Sequence, residues 1–241
     1  MRKIFAFSGI LLASTSFASD HNNIDSGRPL RFEDAYSIAF REQTLEFGYS
    51  LFTRDTVRPN HGFSAEWKSG FAKNKEFSIG FHRFSLGSAN ELESLELSYF
   101  HGLRRELNNL PALAYRVEVG VPTRSGSRGA DLLLRGISTK SLKNLDKVHL
   151  NVEVEGNTDK FSPSWNALLG YSVPLGYPST FDRTLVAELG LLNIGRKQSG
   201  TFGVGLRQQL SPYEIFDLGA TLNFSGGATG LKLAIGYSRS F

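Results

Sequence analysis

No cysteine occurs among the 241 residues, which excludes a disulfide framework and any thiolate metal site. No apolar run is long enough for a transmembrane helix. The five histidines include no pair at metal spacing, and there is no Gly-x-Ser-x-Gly elbow, so the common signatures of metal sites and serine hydrolases are missing. No concentrated basic patch exists, and the formal net charge of +4 includes Arg2 and Lys3 of a removable segment. That balance speaks against a dedicated nucleic-acid binder. A second domain, a linker and a low-complexity tract are also missing from the pattern.

What is present is glycine (25), phenylalanine (19) and a mean hydropathy of −0.20 with 40% hydrophobic residues. These averages suit a soluble protein. They equally suit a transmembrane β-barrel, in which only alternate residues face lipid. The first residues read as an export signal: Arg2 and Lys3, an apolar run over 4–12, and Ser16-Phe17-Ala18 at the peptidase site. Cleavage is expected after Ala18. The organisation is then a signal peptide at 1–18, a periplasmic N-terminal segment at 19–42, and a barrel at 43–241. Localisation follows as the outer membrane of a Gram-negative bacterium. The 19–42 segment has no strand period and either folds back into the barrel, lies against its lower rim, or forms a tail.

The last stretch carries the clearest period. Leu231, Leu233, Ile235 and Tyr237 alternate with Lys232, Ala234, Gly236 and Ser238, and the chain closes on Phe241. A terminal aromatic on an alternating strand is the end that barrel-assembly machinery reads. Arg239 departs from that pattern and is long enough to snorkel. Eleven further strand-like segments precede this one, near 43–52, 61–69, 75–84, 92–103, 111–121, 130–140, 146–155, 164–173, 182–192, 200–210 and 215–224. Twelve is even, as single-chain bacterial barrels require. Only 130–140 has no readable facing, because Leu132, Leu133 and Leu134 are consecutive. With a periplasmic N-terminus, outward aromatics fall in two girdles. Phe77, Tyr171 and Phe216 are low, Phe81, Trp165 and Phe224 are high, and Phe63 and Trp67 bracket the second segment. Pro111, Pro122, Pro174 and Pro212 sit at segment ends, where a missing N–H breaks no ladder. The expected fold class is all-β, an antiparallel up-and-down transmembrane barrel of about twelve strands.

Several stretches carry a resemblance. They are Ser26-Gly27-Arg28-Pro29-Leu30, Glu33-Asp34-Ala35, Leu45-Glu46-Phe47-Gly48, Leu110-Pro111-Ala112-Leu113-Ala114-Tyr115-Arg116-Val117, Val121-Pro122-Thr123 and Val148-His149-Leu150-Asn151. Together they span about half of the chain and resemble the outer-membrane β-barrel family labelled MetA-pathway of phenol degradation, the MetA-like barrel transporters. Arg124 stands where that family often has glycine. The resemblance implies an exported barrel that passes small, often aromatic, compounds, and it carries no catalytic motif.

Opposite parity from the apolar face defines an inner set: Glu46, Glu66, Glu96, Arg116, Glu118, Glu153, Glu188, Arg207 and Lys232 as lumen-lining candidates, with Lys68, His82, His149, Asn151, Asn166 and Asp217 beside them. Confined charges need partners. Glu46 and Lys232 lie on the first and last strands and are expected to pair across the seam. Arg116 and Arg207 are expected to bridge acids on other strands. The inner set either lines a narrow path for small polar or anionic solutes or forms a salt-bridge network that fills a small barrel. Inward glycines leave free volume or serve curvature. Ser98 and His101 differ in parity, so lipid hydrolysis is disfavoured.

The reading is a porin-like outer-membrane channel or transporter for small solutes, with hydrophobic or aromatic compounds among them. The alternative is a plugged structural or lipid-interacting barrel. No enzyme activity, catalytic residue, cofactor or metal is expected. The expected partners are outer-membrane lipid, a small-molecule solute, and the assembly machinery through Phe241, with no nucleic acid.

Overall fold

The computed structural model describes residues 23–25, 27–54, 59–86, 90–123, 129–159, 163–176, 179, 181–194 and 197–241. The expected signal peptide lies outside the described residues. Twelve strands follow one another: β1 (Gln43–Arg54), β2 (Asn60–Ala72), β3 (Lys75–Leu86), β4 (Asn90–Arg104), β5 (Ala112–Pro122), β6 (Asp131–Ser141), β7 (Lys147–Asn157), β8 (Ser164–Leu175), β9 (Arg183–Ile194), β10 (Lys197–Ser211), β11 (Glu214–Ser225) and β12 (Ala228–Ser240). All twelve expected segments are strands, and their ends differ by no more than a few residues. Each strand pairs antiparallel with its sequence neighbours, and β12 returns to β1 to close the barrel. Closure leaves no unpaired edge, which is what a sheet in hydrocarbon needs. At the seam Phe241 and Gln43 exchange both backbone hydrogen bonds.

Sequence period sets the two faces. On β7, Leu150, Val152 and Val154 are about half exposed on the outside, while His149, Asn151 and Glu153 are fully buried within. The same inversion, apolar out and polar in, recurs around the ring. It is the arrangement of a barrel solvated by lipid. The consecutive leucines of β6 resolve the same way: Leu132 and Leu134 face out, Leu133 faces in, and Arg135, Ile137 and Thr139 continue the inner row. Phe63, Phe81, Trp165, Tyr171, Phe216 and Phe224 are exposed on the outer surface. The β11–β12 connection is a two-residue turn in which Gly226 and Gly227 both have positive φ, the geometry that matches the twist of a hairpin.

The barrel interior is not empty. The chain before β1 rises into it, and the apolar packing inside is made between that segment and the wall. Ile24, Leu30 and Phe32 pack on Leu168, Val186 and Leu192. Nearer the end that carries the seam termini, Ala35 and Tyr36 pack on Phe100, Ala112, Ala114 and Ile137.

Candidate functional site

The site is the lumen together with the loop that occupies it. Ile24 and Asp34 are neighbours: the Asp34 N–H donates to the Ile24 carbonyl at 3.0 Å, and the Ile24 N–H donates to the Asp34 carboxylate at 3.1 Å. The chain between them is therefore a closed loop of the Ω kind, ends together and tip projecting. It has no regular secondary structure, so its buried backbone groups need other partners. The wall supplies them. Glu188 accepts from the N–H groups of Arg31 and Phe32, each at 2.8 Å. Asn151 accepts from the Glu33 N–H and donates to the Glu33 carbonyl, both at 2.8 Å. Thr139 accepts from the Ala35 N–H at 2.9 Å and Glu76 from the Ile38 N–H at 3.2 Å.

Side chains complete the seat. Asp25 pairs with Lys68 at 3.2 Å and Arg207 at 3.1 Å. Arg28 reaches Glu46 at 2.7 Å and Asp217 at 3.3 Å. Arg31 meets Glu153 at 3.0 Å. Glu33 sits between Arg116 and Arg135, the latter at 2.9 Å. Burial raises the Asp25 carboxyl, but Lys68, Arg207 and Arg28 more than reverse this and hold it well below the ordinary range. Asp34 goes the other way: burial pushes it up to about 7 against the weaker pull of Lys147 and two backbone N–H groups.

Glycine on the inner wall makes the room. A Cβ at Gly170 would collide with the Phe32 ring, and one at Gly203 would lie 2.8 Å from Leu30. At Gly205 it would meet Pro29 Cγ at 2.7 Å, and at Gly219 the Pro29 carbonyl oxygen at 2.5 Å. These glycines give up space to the loop rather than leaving it as free volume.

All nine lumen-lining candidates lie on inward positions, at different depths. Glu46, Arg116, Glu153, Glu188 and Arg207 are buried in the network with the loop. Glu66 approaches Lys68 at 3.8 Å. Glu96 holds His82 at 3.0 Å. Glu96 and Glu118, with Arg31, Asp131 and Glu155, line a cavity of about 590 Å³ beyond the loop tip. Lys232 lines a second one, of about 140 Å³, with Arg28, Glu46 and His82.

The expected Glu46–Lys232 pair does not form. Glu46 stands opposite Ser238, and Lys232 stands opposite Phe52. Adjacent strands are not enough, because register separates the two residues by six places along the seam. Glu46 is taken by Arg28 and Lys68 instead. Arg116 does bridge to another strand, reaching Glu76 of β3 at 3.1 Å, and Arg207 approaches Asp217 of β11 at 3.3 Å. Ser98 is buried inside against Ser78 and Arg116. His101 is outside against Tyr115, so the two never meet.

Sequence reasoning missed Arg135, Glu76 and the charges of the loop itself. Glu76 was available from parity, since it precedes outward Phe77. Arg135 was hidden by the three leucines before it. The loop charges had no period to expose them.

No protein-family model matches the chain, and no curated protein matches it by sequence. Solved structures do. The chain is similar to an outer-membrane channel from Pseudomonas putida F1, at 14% identity and a TM-score of 0.68, covering 90% of this chain and 100% of that one. It is also similar to the KdgM porin, at 13% identity and a TM-score of 0.56, covering 81% and 99%. A third likeness is to the translocator domain of the autotransporter NalP from Neisseria meningitidis, at 13% identity and a TM-score of 0.52, covering 85% and 90%. At these identities the likeness is one of fold: a bacterial outer-membrane β-barrel.

Proposed function

We propose that this chain is an outer-membrane channel for small solutes, closed in the present state by its own N-terminal loop. The observation that carries the reading is the composition of the ion-pair network. Four wall cations that bind an acid of the loop also have an acid on the wall, Lys147 beside Asp34 being a further loop contact. Lys68 has Glu46 and Glu66, Arg116 has Glu76, Arg135 has Glu153, and Arg207 has Asp217. Removing one partner of a buried pair costs ~3–5 kcal/mol when it strands a charge. Here, withdrawal of the loop strands none of these four cations. Cations that keep an acid on the wall support a loop that moves, and cavities lie on both sides of the loop to receive solvent.

The resemblance to the MetA-like transporters extends the proposal to small hydrophobic or aromatic compounds as solutes. It also supports export to the outer membrane and assembly through Phe241. A plugged structural barrel is the second reading, favoured by the density of loop–wall hydrogen bonds. Single-channel recording in a planar bilayer separates the two. The full chain is expected to show small or rare conductance steps. A variant lacking the loop charges, Asp25→Asn with Arg28→Gln and Glu33→Gln, is expected to raise open probability about tenfold or more, as the loss of ~1.4 kcal/mol or more of docking energy would. An inserted barrel that stays silent in both forms establishes the structural reading.

A further inference from the structure

The half of the lumen toward the β11–β12 turn holds one cation that the network leaves over. Lys232 lies on the inner face of β12, four residues in from Ala228. It is half-buried, and among the described residues no carboxylate stands within ion-pair distance of it. Glu188, which acts on it through space, already accepts from the Arg31 and Phe32 N–H groups, and Arg31 adds a like charge. Lys232 lines the cavity of about 140 Å³ together with Arg28, Glu46, Ser50, Ser64, Glu66 and His82. The acids of this lining are engaged. Glu46 meets Arg28 at 2.7 Å and Lys68 at 3.1 Å, and Glu66 approaches Lys68 at 3.8 Å. His82 is held by Glu96 at 3.0 Å.

Register sets a row of donors across the seam. Ser50 of β1 stands opposite Ala234 of β12 and Gly62 of β2, so Lys232 and Ser64 are its diagonal neighbours on the inner face. Such diagonals lie ~7–8 Å apart, within reach of a long side chain. Neither serine hydroxyl has a hydrogen-bond partner among the described residues. Gly48 gives the Ser64 hydroxyl its space, since a Cβ there would collide with it. On the loop side of this row Arg28 crosses the seam over Gly48 and Gly236, which face each other, and a Cβ at Gly236 would lie 3.0 Å from its Nη1. Arg28 is buried. Its Nη1 and Nη2 make charge contacts with Asp217 and Glu46 but have no hydrogen-bond partner among the described residues.

We propose that this cavity is a subsite for a small organic monocarboxylate. Lys232 and the Ser50 and Ser64 hydroxyls hold the carboxylate, Arg28 forms the floor, and the apolar part of the solute lies in the lumen. Bonds from an ammonium or a hydroxyl to a carboxylate are charge-assisted and therefore among the stronger ones. One cation left over suits one negative charge, because a dianion would press its second charge on Glu46 and Glu66. The cavity, about 140 Å³, compares with an engineered cavity of roughly 150 Å³ that takes up benzene, so the carboxylate and part of a single ring fit. That such an acid is a solute in transit rests on the channel reading above, to which it adds a charged class of substrate.

The test is isothermal titration calorimetry of the full chain, folded in detergent, with benzoate as the probe and benzamide as its uncharged analogue. Benzoate is expected to bind about tenfold more tightly than benzamide. Lys232→Gln should weaken benzoate about tenfold, and Lys232→Arg should keep most of the affinity. Ser50→Ala with Ser64→Ala should weaken it about threefold, an independent measure should Lys232→Gln not fold. Lys143→Gln, exposed at the other end of the barrel, should match wild type. Loss of Lys232 strands no carboxylate, so heat-modifiable migration of its variants should be unchanged. Equal binding of benzoate and benzamide, an unaffected Lys232→Gln, or the same loss in Lys143→Gln overturns the site. Inorganic phosphate that displaces benzoate at equal concentration also overturns it, since the cavity would then take small anions of any kind. Single-channel recording on the same samples keeps the two readings apart. A conducting channel that binds no benzoate sinks the site alone. A chain that binds benzoate through Lys232 yet never conducts, the loop-charge variant included, sinks the channel reading and leaves the site.

Discussion

Asp34 shows how one carboxyl links the loop to pH. Its docked form is held protonated up to about 7, mainly by burial, with Lys147 and the N–H groups of Ile24 and Tyr36 opposing and the charge of Asp25 adding. A carboxyl whose docked pKa is raised above its free value of 3.8 weakens docking as pH rises between the two values, and the loss is complete above the higher one. Loop docking is therefore expected to weaken from pH 4 to pH 7 by a few kcal/mol, and open probability in a bilayer should climb over that window. In Asp34→Asn this part of the pH response should vanish while the rest persists. A wild-type and a variant profile that superimpose would show that the affinity of Asp34 for its proton is the same in the docked and the free loop. Parity alone could not have suggested this residue. Glu46, Arg116 and Glu188 were readable as inward because each lies between outward apolar residues. Asp34 lies in a segment with no period, and its nearest charged partner on the wall, Lys147, is more than a hundred positions away.

At the scale of elements, strands were legible and their relation was only half so. Period two marks a strand and its faces from local residues, which is why all twelve were found. Register depends on how far each strand slides past the next. That explains why Glu46 and Lys232 were wrongly paired across a seam correctly placed. The loop is the opposite case: its sequence carries little local signal, and its seat is written on the wall as glycine. Gly219→Ala is a direct test. The new methyl would contact the backbone of Pro29, and the loop must move because the strand cannot. Strand content by circular dichroism should be unchanged, while docking is lost by about 1–3 kcal/mol, the usual cost of overpacking. That should appear as more frequent opening. Unchanged gating with unchanged fold would mean that the loop adapts without cost.

For the whole molecule, loop and barrel act as one stability unit. The apolar packing inside is shared between them, so weakening the loop should lower the temperature at which the barrel shifts its gel migration without changing its strand count. The loop-charge variant described above is expected to convert at a lower temperature than wild type. Identical conversion temperatures would show that the wall alone sets stability. The barrel is held by ladders around its full circumference, and the loop by side chains of the wall.

The placement of the loop's partners has a consequence for the order of events in making the protein. Its residues are synthesised before any strand, yet its partners lie on β1, β2, β5, β6, β7, β9, β10 and β11, with contacts such as Arg28 to Asp217 spanning most of the chain. Contacts of such long sequence separation form late, because their closure entropy must be overcome first. The Glu46 and Asp217 carboxylates reach Arg28 together only after β12 has been laid between β11 and β1. The earliest segment is thus the last to be seated, and its docking reads out whether the ring has closed in register: a slipped strand would present hydrophobic side chains where the loop requires carboxylates.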